Sequence, residues 1–233
     1  MAVAQSRGSQ FDYYWQQQGE WVEEPNQRRG GESGVQRLND ASGQLLYAKR
    51  QVGHLYRSLL HPFGRPTVLR EQDALHSFEQ LGVRVPRIVY CGAQRDGDHQ
   101  WRALLVSEAL DGFVDLDTWH AEGARQRYPQ VLHERMLKDL ADNLARMHLG
   151  HWQHGCLYGK HVFIKISGEG EQARAEVALL DLEKCRRRIS RQRAALNDLG
   201  QLRRHSSLNE AEWQTLLYFY QMAFGSAVKG LEQ

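Results

Sequence analysis

Cysteine is scarce: the 233 residues hold three, Cys91, Cys156 and Cys185, widely separated and with no C-x-x-C pair among them. An odd, scattered set gives no disulfide framework and fits a reducing compartment. Long apolar runs are missing as well. Hydrophobic residues make up 41% of the chain, mean hydropathy is −0.63, and no stretch approaches the roughly 20 apolar residues that a bilayer-spanning helix needs. Residues 1–8 have no apolar segment of the kind that opens a secretory signal, so the expectation is a cytoplasmic protein. Net charge is only +2, and that total singles out neither nucleic acid nor anionic lipid as a partner. Internal repeats and low-complexity segments are absent too.

What the chain does have is length enough for a sizeable core in one or two lobes. Residues 11–21, aromatics among glutamines, read as a capping segment or lobe edge. Residues 28–34, RRGGESG, are a Gly-rich turn, followed by strands over 35–38 and 45–49 joined by the turn NDASG. Residues 67–81 place Leu69, Leu75, Phe78 and Leu81 at helical spacing, stopped by Gly82. Residues 83–91 and 102–108 form a second hairpin around a turn at 95–98. After Leu110 the pattern becomes helical. Asp115 or Asp117 starts a helix at Leu116, and residues 131–151 repeat Leu132, Met136, Leu137, Leu140, Leu144 and Met147 at the 3.6-residue period. Two strands flank the turn 168–172, and helices lie around 196–205 and 210–224. Strands first and helices afterwards predict an α+β protein, with a small β-rich N-lobe over 1–110 and a mainly helical C-lobe over 111–233.

The densest chemistry lies in residues 154–165, HGCLYGKHVFIK. A polar loop carrying His154, Cys156, Lys160 and His161 runs directly into the apolar Val162, Phe163 and Ile164, and a second apolar run delivers Asp181 in ALLDLEK. Loops held between strands are where sites usually sit. Asp181, where a strand runs out, offers a carboxylate to a divalent cation; Lys160 is a point charge suited to phosphate, and His161 a ligand or hydrogen-bonding nitrogen. Upstream, Lys49 ends an apolar strand, Glu71 follows on a helix that can bring it back to that lysine, and Gly31 and Gly34 let main-chain N–H groups approach an anion.

Gly-rich turn, strand lysine, helix glutamate, polar loop after a long helix and strand aspartate, in that order, resemble the lipopolysaccharide kinase (WaaP-like) family of the protein-kinase-like superfamily, most of all its InaA branch. The phrases LYAKRQ, HPFGRPTVLRE, GVRVPRIVY and HGCLYGKHVFIK carry the likeness over residues 30–205. The resemblance implies one two-lobed kinase-like domain that uses ATP and Mg²⁺ to phosphorylate a sugar hydroxyl of the lipopolysaccharide core or a related phosphoglycolipid. It implies that Lys49 contacts nucleotide phosphates, Glu71 orients Lys49, and Glu108 and Leu110 line the hinge beside adenine. Asp181 and His161 hold the metal, and Asp198 in NDLGQL braces the catalytic loop. The departure is Cys156, which stands where the family pattern has the aspartate that accepts the substrate proton, beside His154. Metal and phosphate clamping then carry slow transfer without the base, or the cysteine takes over as a thiolate, or the chain is a catalytically impaired nucleotide-binding or interaction protein in a stress response.

Two further patterns bear on partners. His148, His151 and His154 recur every third residue and, with His161 or Cys156, could form a zinc-type donor set, but that spacing drifts around a helix, and histidines that cap or hydrogen-bond at a helix end are the expectation. Lys184, Arg186, Arg187, Arg188, Arg191 and Arg193 form a cationic run. That run is either a solvated face or a contact for phosphorylated glycolipid and the anionic inner membrane, which makes peripheral membrane association the expectation beside a cytoplasmic location. Aromatics do not interleave with these arginines, so nucleic acid is not expected.

Overall fold

A computed structural model describes residues 7–28 and 30–231. Residues 1–6, most of the N-terminal stretch read for a secretory signal, and Arg29 of the Gly-rich turn lie outside the described residues, as do 232–233. By its contacts the chain divides into two compact units, one of Met1–Asp73 with Pro86–Ala109 and one of Ala74–Val85 with Leu110–Gln233.

The first unit is rich in strands. Helix α1 (Arg7–Gln16) precedes β1 (Glu20–Arg28), β2 (Gly31–Asn39), β3 (Leu45–Val52), β4 (Leu55–Ser58) and β5 (His61–Pro66). Helix α2 (Thr67–Gln80) begins here, and β6 (Ile88–Arg95) and β7 (Trp101–Glu108) complete the set. The main sheet is antiparallel in the order β1-β2-β3-β7-β6. Period-two alternation puts Leu38, Leu46, Ala48, Leu104 and Val106 on one face, and Phe11 of α1 closes over them. Burying that ring contributes roughly 1.5–3 kcal/mol, and so the aromatic segment read as a cap or lobe edge is, up to Gln16, a helix packed on the sheet, while its Trp21 lies on β1. The β2–β3 turn is tied by Asp40 Oδ1, which accepts from the N–H groups of Ser42 and Gln44 at 2.8 Å each.

The unit departs from the sequence reading in several details. Residues 31–34, read as part of a Gly-rich turn, lie within β2, paired with β1 and β3, and β1 itself was not expected. The strand expected from residue 83 begins at Ile88: Val83 N–H donates to Phe78 O at 2.9 Å, completing the turn after α2, and Pro86 has no N–H for a ladder. Val83 and Val85 are nonetheless buried, which explains their apolar character. The hairpin β4–β5 had no counterpart, because its side chains do not alternate between core and water; Leu59, Leu60 and Phe63 are 102%, 87% and 90% exposed.

The second unit is mainly helical. It contains β8 (Val114–Asp115), α3 (Leu116–Ala121), α4 (Ala124–Arg127), α5 (Gln130–Leu149), β9 (Trp152–Gln153), β10 (Val162–Ser167), β11 (Arg174–Leu179), β12 (Arg186–Arg187), α6 (Arg191–Arg204) and α7 (Glu210–Phe224). Asp115 is the N-cap of α3, its Oδ1 accepting from Asp117 and Thr118 N–H, while Asp117 accepts instead from Ser207 N–H at 2.7 Å. The apolar stripe of α5 is buried against α7 and β11. Strands β10 and β11 form a hairpin with β8 at its edge, and β9 pairs with β12. The polar loop between β9 and β10 is therefore anchored by a sheet at each end.

Candidate functional site

In the first unit, β3 presents Leu46 and Ala48 to the core, and the alternation turns Lys49 and Gln51 to the other face. Gln51 is buried and seats the start of α2. Its Nε2 donates to Thr67 Oγ1 at 2.7 Å and its Oε1 accepts from Val68 N–H at 3.2 Å. Glu71 lies one helical turn beyond Thr67, and Lys49 Nζ donates to Glu71 Oε2 at 2.8 Å with the side chains only 16% and 11% exposed. Desolvation offsets most of the stability of such a pair, so its main effect is to fix the ammonium in one place. Cys91 packs beside α2, and burial, then Glu71 and Asp73, push its thiol up to about 12, which leaves it inert as a nucleophile.

Other residues singled out in this unit have contacts of their own. A Cβ on Gly31 would come within 2.2 Å of Gly53 main chain, and one on Gly34 within 2.8 Å of the Trp21 ring, so both glycines admit neighbouring strands. Glu108 pairs with Arg87 through its carboxylate, and its N–H donates to Arg87 O at 2.9 Å. In the second unit Leu110 O accepts from Phe113 N–H at 3.1 Å.

The loop of the second unit hangs on Asp198 of α6, which is fully buried. Its Oδ2 accepts from His154 N–H at 2.6 Å and from His148 Nε2 at 3.2 Å, and its Oδ1 from Gly155 N–H at 2.9 Å. Tyr220 hydroxyl lies 2.9 Å from His148 Nδ1, and burial pushes that hydroxyl up. Leu157 N–H donates to Gln201 Oε1 at 3.1 Å and Gly159 N–H to His205 O at 2.7 Å. His154 Nε2 donates to Leu180 O at 3.0 Å, and burial holds its imidazole below the ordinary histidine range. The histidines spaced by three thus diverge, to Asp198 and Tyr220, to Arg188 O, and to Leu180 O.

A different set converges. Cys156 Sγ, a nitrogen of His161 and a carboxylate oxygen of Asp181 all lie within 4.8 Å of one another. His161 Nδ1 donates to Cys156 O at 2.6 Å, so the ring turns Nε2 towards Asp181 Oδ2, 3.5 Å away. Asp181 holds a left-handed backbone, φ 59°, which is strained for a non-glycine residue and aims its side chain at the loop. Lys184 Nζ donates towards Cys156 Sγ at 3.6 Å. Lys160 is exposed on a 3₁₀ turn. As a magnesium ligand Asp181 fits, because Mg²⁺ is commonly held by one or two carboxylates together with substrate phosphates; sulfur and nitrogen donors do not suit it.

The cationic run is not one helix face. Arg186 and Arg187 are on β12, Arg187 lies over the Trp152 ring, and Arg191 and Arg193 occupy the first turn of α6 behind the N-cap Ser190. A cavity of about 650 Å³ takes Arg186 and Arg188 from this run and adds Arg203 and Arg204 from the end of α6, with Gln153, Asn197 and Gln201. Sequence reasoning missed Gln51, the Lys184 contact with sulfur, and Arg203 and Arg204. Gln51 stood two residues from Lys49 on one strand face, and the Arg203–Arg204 pair ended the same helix as Asp198.

Comparison with known proteins agrees with this layout. The family described as lipopolysaccharide kinase (Kdo/WaaP) matches residues 12–220. Protein InaA of Escherichia coli (strain K12) is 41% identical over 224 residues, covering 95% of this chain and all of that protein (100%). A solved structure of WaaP in complex with acyl carrier protein superposes with a TM-score of 0.66 over 91% of this chain and 82% of that one; at 20% identity the two share their fold. With strand lysine, helix glutamate and Asp198-braced loop all inside the matched residues, the chain belongs to the lipopolysaccharide kinase (Kdo/WaaP) family.

Proposed function

We propose that the protein is an ATP-dependent phosphotransferase acting on a sugar hydroxyl of a lipopolysaccharide-core-type acceptor. The observation that carries this reading is the Lys49–Glu71 pair at 2.8 Å, an ammonium fixed in one place on the central strand of the sheet. Lys49 engages the nucleotide phosphates with the Gly31–Gly34 stretch beside them, Glu71 holds Lys49 in place, and Glu108 and Leu110 meet adenine. Asp181, with His161 beside it, would hold Mg²⁺, and the ion would supply charge neutralisation for the transferring group. Lys160 and the Arg186, Arg188, Arg203 and Arg204 cavity receive acceptor phosphates. Arg191 and Arg193 sit at a helix N-terminus, where each cation costs about 0.3–1 kcal/mol, which supports a functional reason for keeping them. Binding to anionic vesicles at low salt, lost as salt rises, tests the membrane part of this reading; no binding at low salt ends it.

Cys156 favours a second reading. A positioned base contributes about 10²- to 10⁴-fold, and here a thiol paired with Lys184 occupies its place. The protein is then a nucleotide-binding pseudokinase that acts through partners. Phosphate transfer from labelled ATP to core oligosaccharide separates the two, using Lys49→Ala and Asp181→Ala as controls. Slow transfer that both substitutions abolish, and that Cys156→Asp accelerates about 10²-fold or more, supports the enzyme. Nucleotide binding with no transfer by wild type supports the pseudokinase, and neither binding nor transfer overturns both.

A further inference from the structure

The geometry points to a site for a borderline divalent cation of the zinc class, held without nucleotide by Cys156 Sγ, His161 Nε2 and Asp181. Zinc takes thiolate, imidazole and carboxylate ligands together, and three protein ligands with one open position are its pattern where chemistry is done. The nitrogen–oxygen separation suits it. Two ligands about 2.1 Å from a tetrahedral ion lie roughly 3.4 Å apart, and His161 Nε2 and Asp181 Oδ2 are 3.5 Å apart. A direct charge-assisted hydrogen bond would close that gap to about 2.7–2.9 Å.

The surroundings of the three donors support the same assignment. Metal-bound histidines give their second N–H to an acceptor that fixes tautomer and ring orientation, and the His161 Nδ1 bond to Cys156 O at 2.6 Å does this while leaving the Nε2 lone pair for the ion. Cys156 and His161 are 5% and 8% exposed, and Asp181 is more open, so the free coordination position faces solvent from the carboxylate side. Lys184, 3.6 Å from the sulfur, partners the thiolate that binding creates as the thiol proton passes to solvent. The other donor cluster among the described residues, His120, His133 and Glu212, is unsuited to a cation, because Arg125 already binds Glu212 through two bonds of 2.7 Å.

This inference does not rest on the phosphotransferase reading, since it needs neither ATP nor transfer. Metal-stripped protein is titrated with Co²⁺ in the absence of nucleotide and followed by absorbance. The expected result is one equivalent bound, with a near-ultraviolet sulfur-to-cobalt band and intense visible bands of tetrahedral cobalt, displaced by Zn²⁺ and unaffected by excess Mg²⁺. Cys156→Ser removes the sulfur band, His161→Gln weakens binding about tenfold or more, and His133→Gln changes neither. Absence of the sulfur band in the wild type overturns the proposal whether or not the variants fold. A band that survives Cys156→Ser overturns it equally, because the metal is then on another cysteine.

Discussion

Replacing Asp198 by Asn keeps the shape of a fully buried side chain and changes only its hydrogen-bond capacity, so its cost can be worked from the three donors that Asp198 serves. With the amide oxygen in the Oδ2 position, the bonds from His154 N–H at 2.6 Å and His148 Nε2 at 3.2 Å survive, now to a neutral acceptor. The amide NH₂ then faces Gly155 N–H across 2.9 Å, donor against donor. One buried N–H without a partner costs about 1–3 kcal/mol, and each bond that loses its charged acceptor about 1 kcal/mol more. Relief from burying a charge offsets part of this, leaving about 2–4 kcal/mol. For a chain of this size that is roughly a 5–15 °C fall in Tm. Asp198→Ala should cost more, because all three donors lose their acceptor and a cavity is added. Thermal melts followed by circular dichroism give the answer. An Asn variant melting within about 2 °C of wild type, less than 1 kcal/mol on the same scale, would show that the loop from His154 to Gly155 does not hang on α6.

Other substitutions probe the remaining elements. Gln51→Leu should destabilise the protein by about 1–3 kcal/mol through the lost bonds to Thr67 and Val68, and should shrink the thermal shift given by ATP because Glu71 loses its seat; an unchanged ATP shift would separate the two. Gly31→Ala should lower Tm because its Cβ meets main chain at 2.2 Å, whereas Gly97→Ala, with nothing within 4 Å, should be neutral; equal melts would contradict that packing. Burial, with Glu212 opposing and Arg125 assisting, brings His120 down to about 4 from 6.5. Ser207 Oγ at 2.7 Å, and the charges of His133 and Asp117, also act on the ring. The unfolded chain then binds the extra proton between pH 6.5 and 4, so stability present above pH 6.5 is lost as pH falls through that window. Tm measured from pH 7.5 to 5 should fall less steeply in His120→Gln than in wild type, and parallel curves would refute the assignment.

The sequence was informative wherever a single period governed a segment. The stripe on α5, the β2–β3 hairpin and the helix carrying Glu71 follow from 3.6- and 2-residue spacing, and the strand-to-helix order made the Lys49–Glu71 pair legible. Asp198 came from resemblance, since nothing local to NDLGQL says that two N–H groups forty residues earlier need an acceptor. What stayed hidden depends on long-range partners. Gln51 looks like any polar strand residue until Thr67 is placed against it. Lys184 looked like one of six cations until the chain turned it to Cys156. The spacing of His148, His151 and His154 drew attention as a donor set, but three residues on a helix and the loop beyond it point in different directions, and the set that converges joins Cys156 of the loop to residues beside the start of β10 and the end of β11.

The central claim, that this chain holds nucleotide through Lys49, is tested most directly by calorimetric titration of ATP with Mg²⁺ into wild type and Lys49→Ala. The account predicts one equivalent bound by the wild type and a loss of affinity of about tenfold or more on removing the charged contact, equivalent to at least about 1.4 kcal/mol. Equal affinity in the two proteins, or no heat of binding in the wild type, would contradict it.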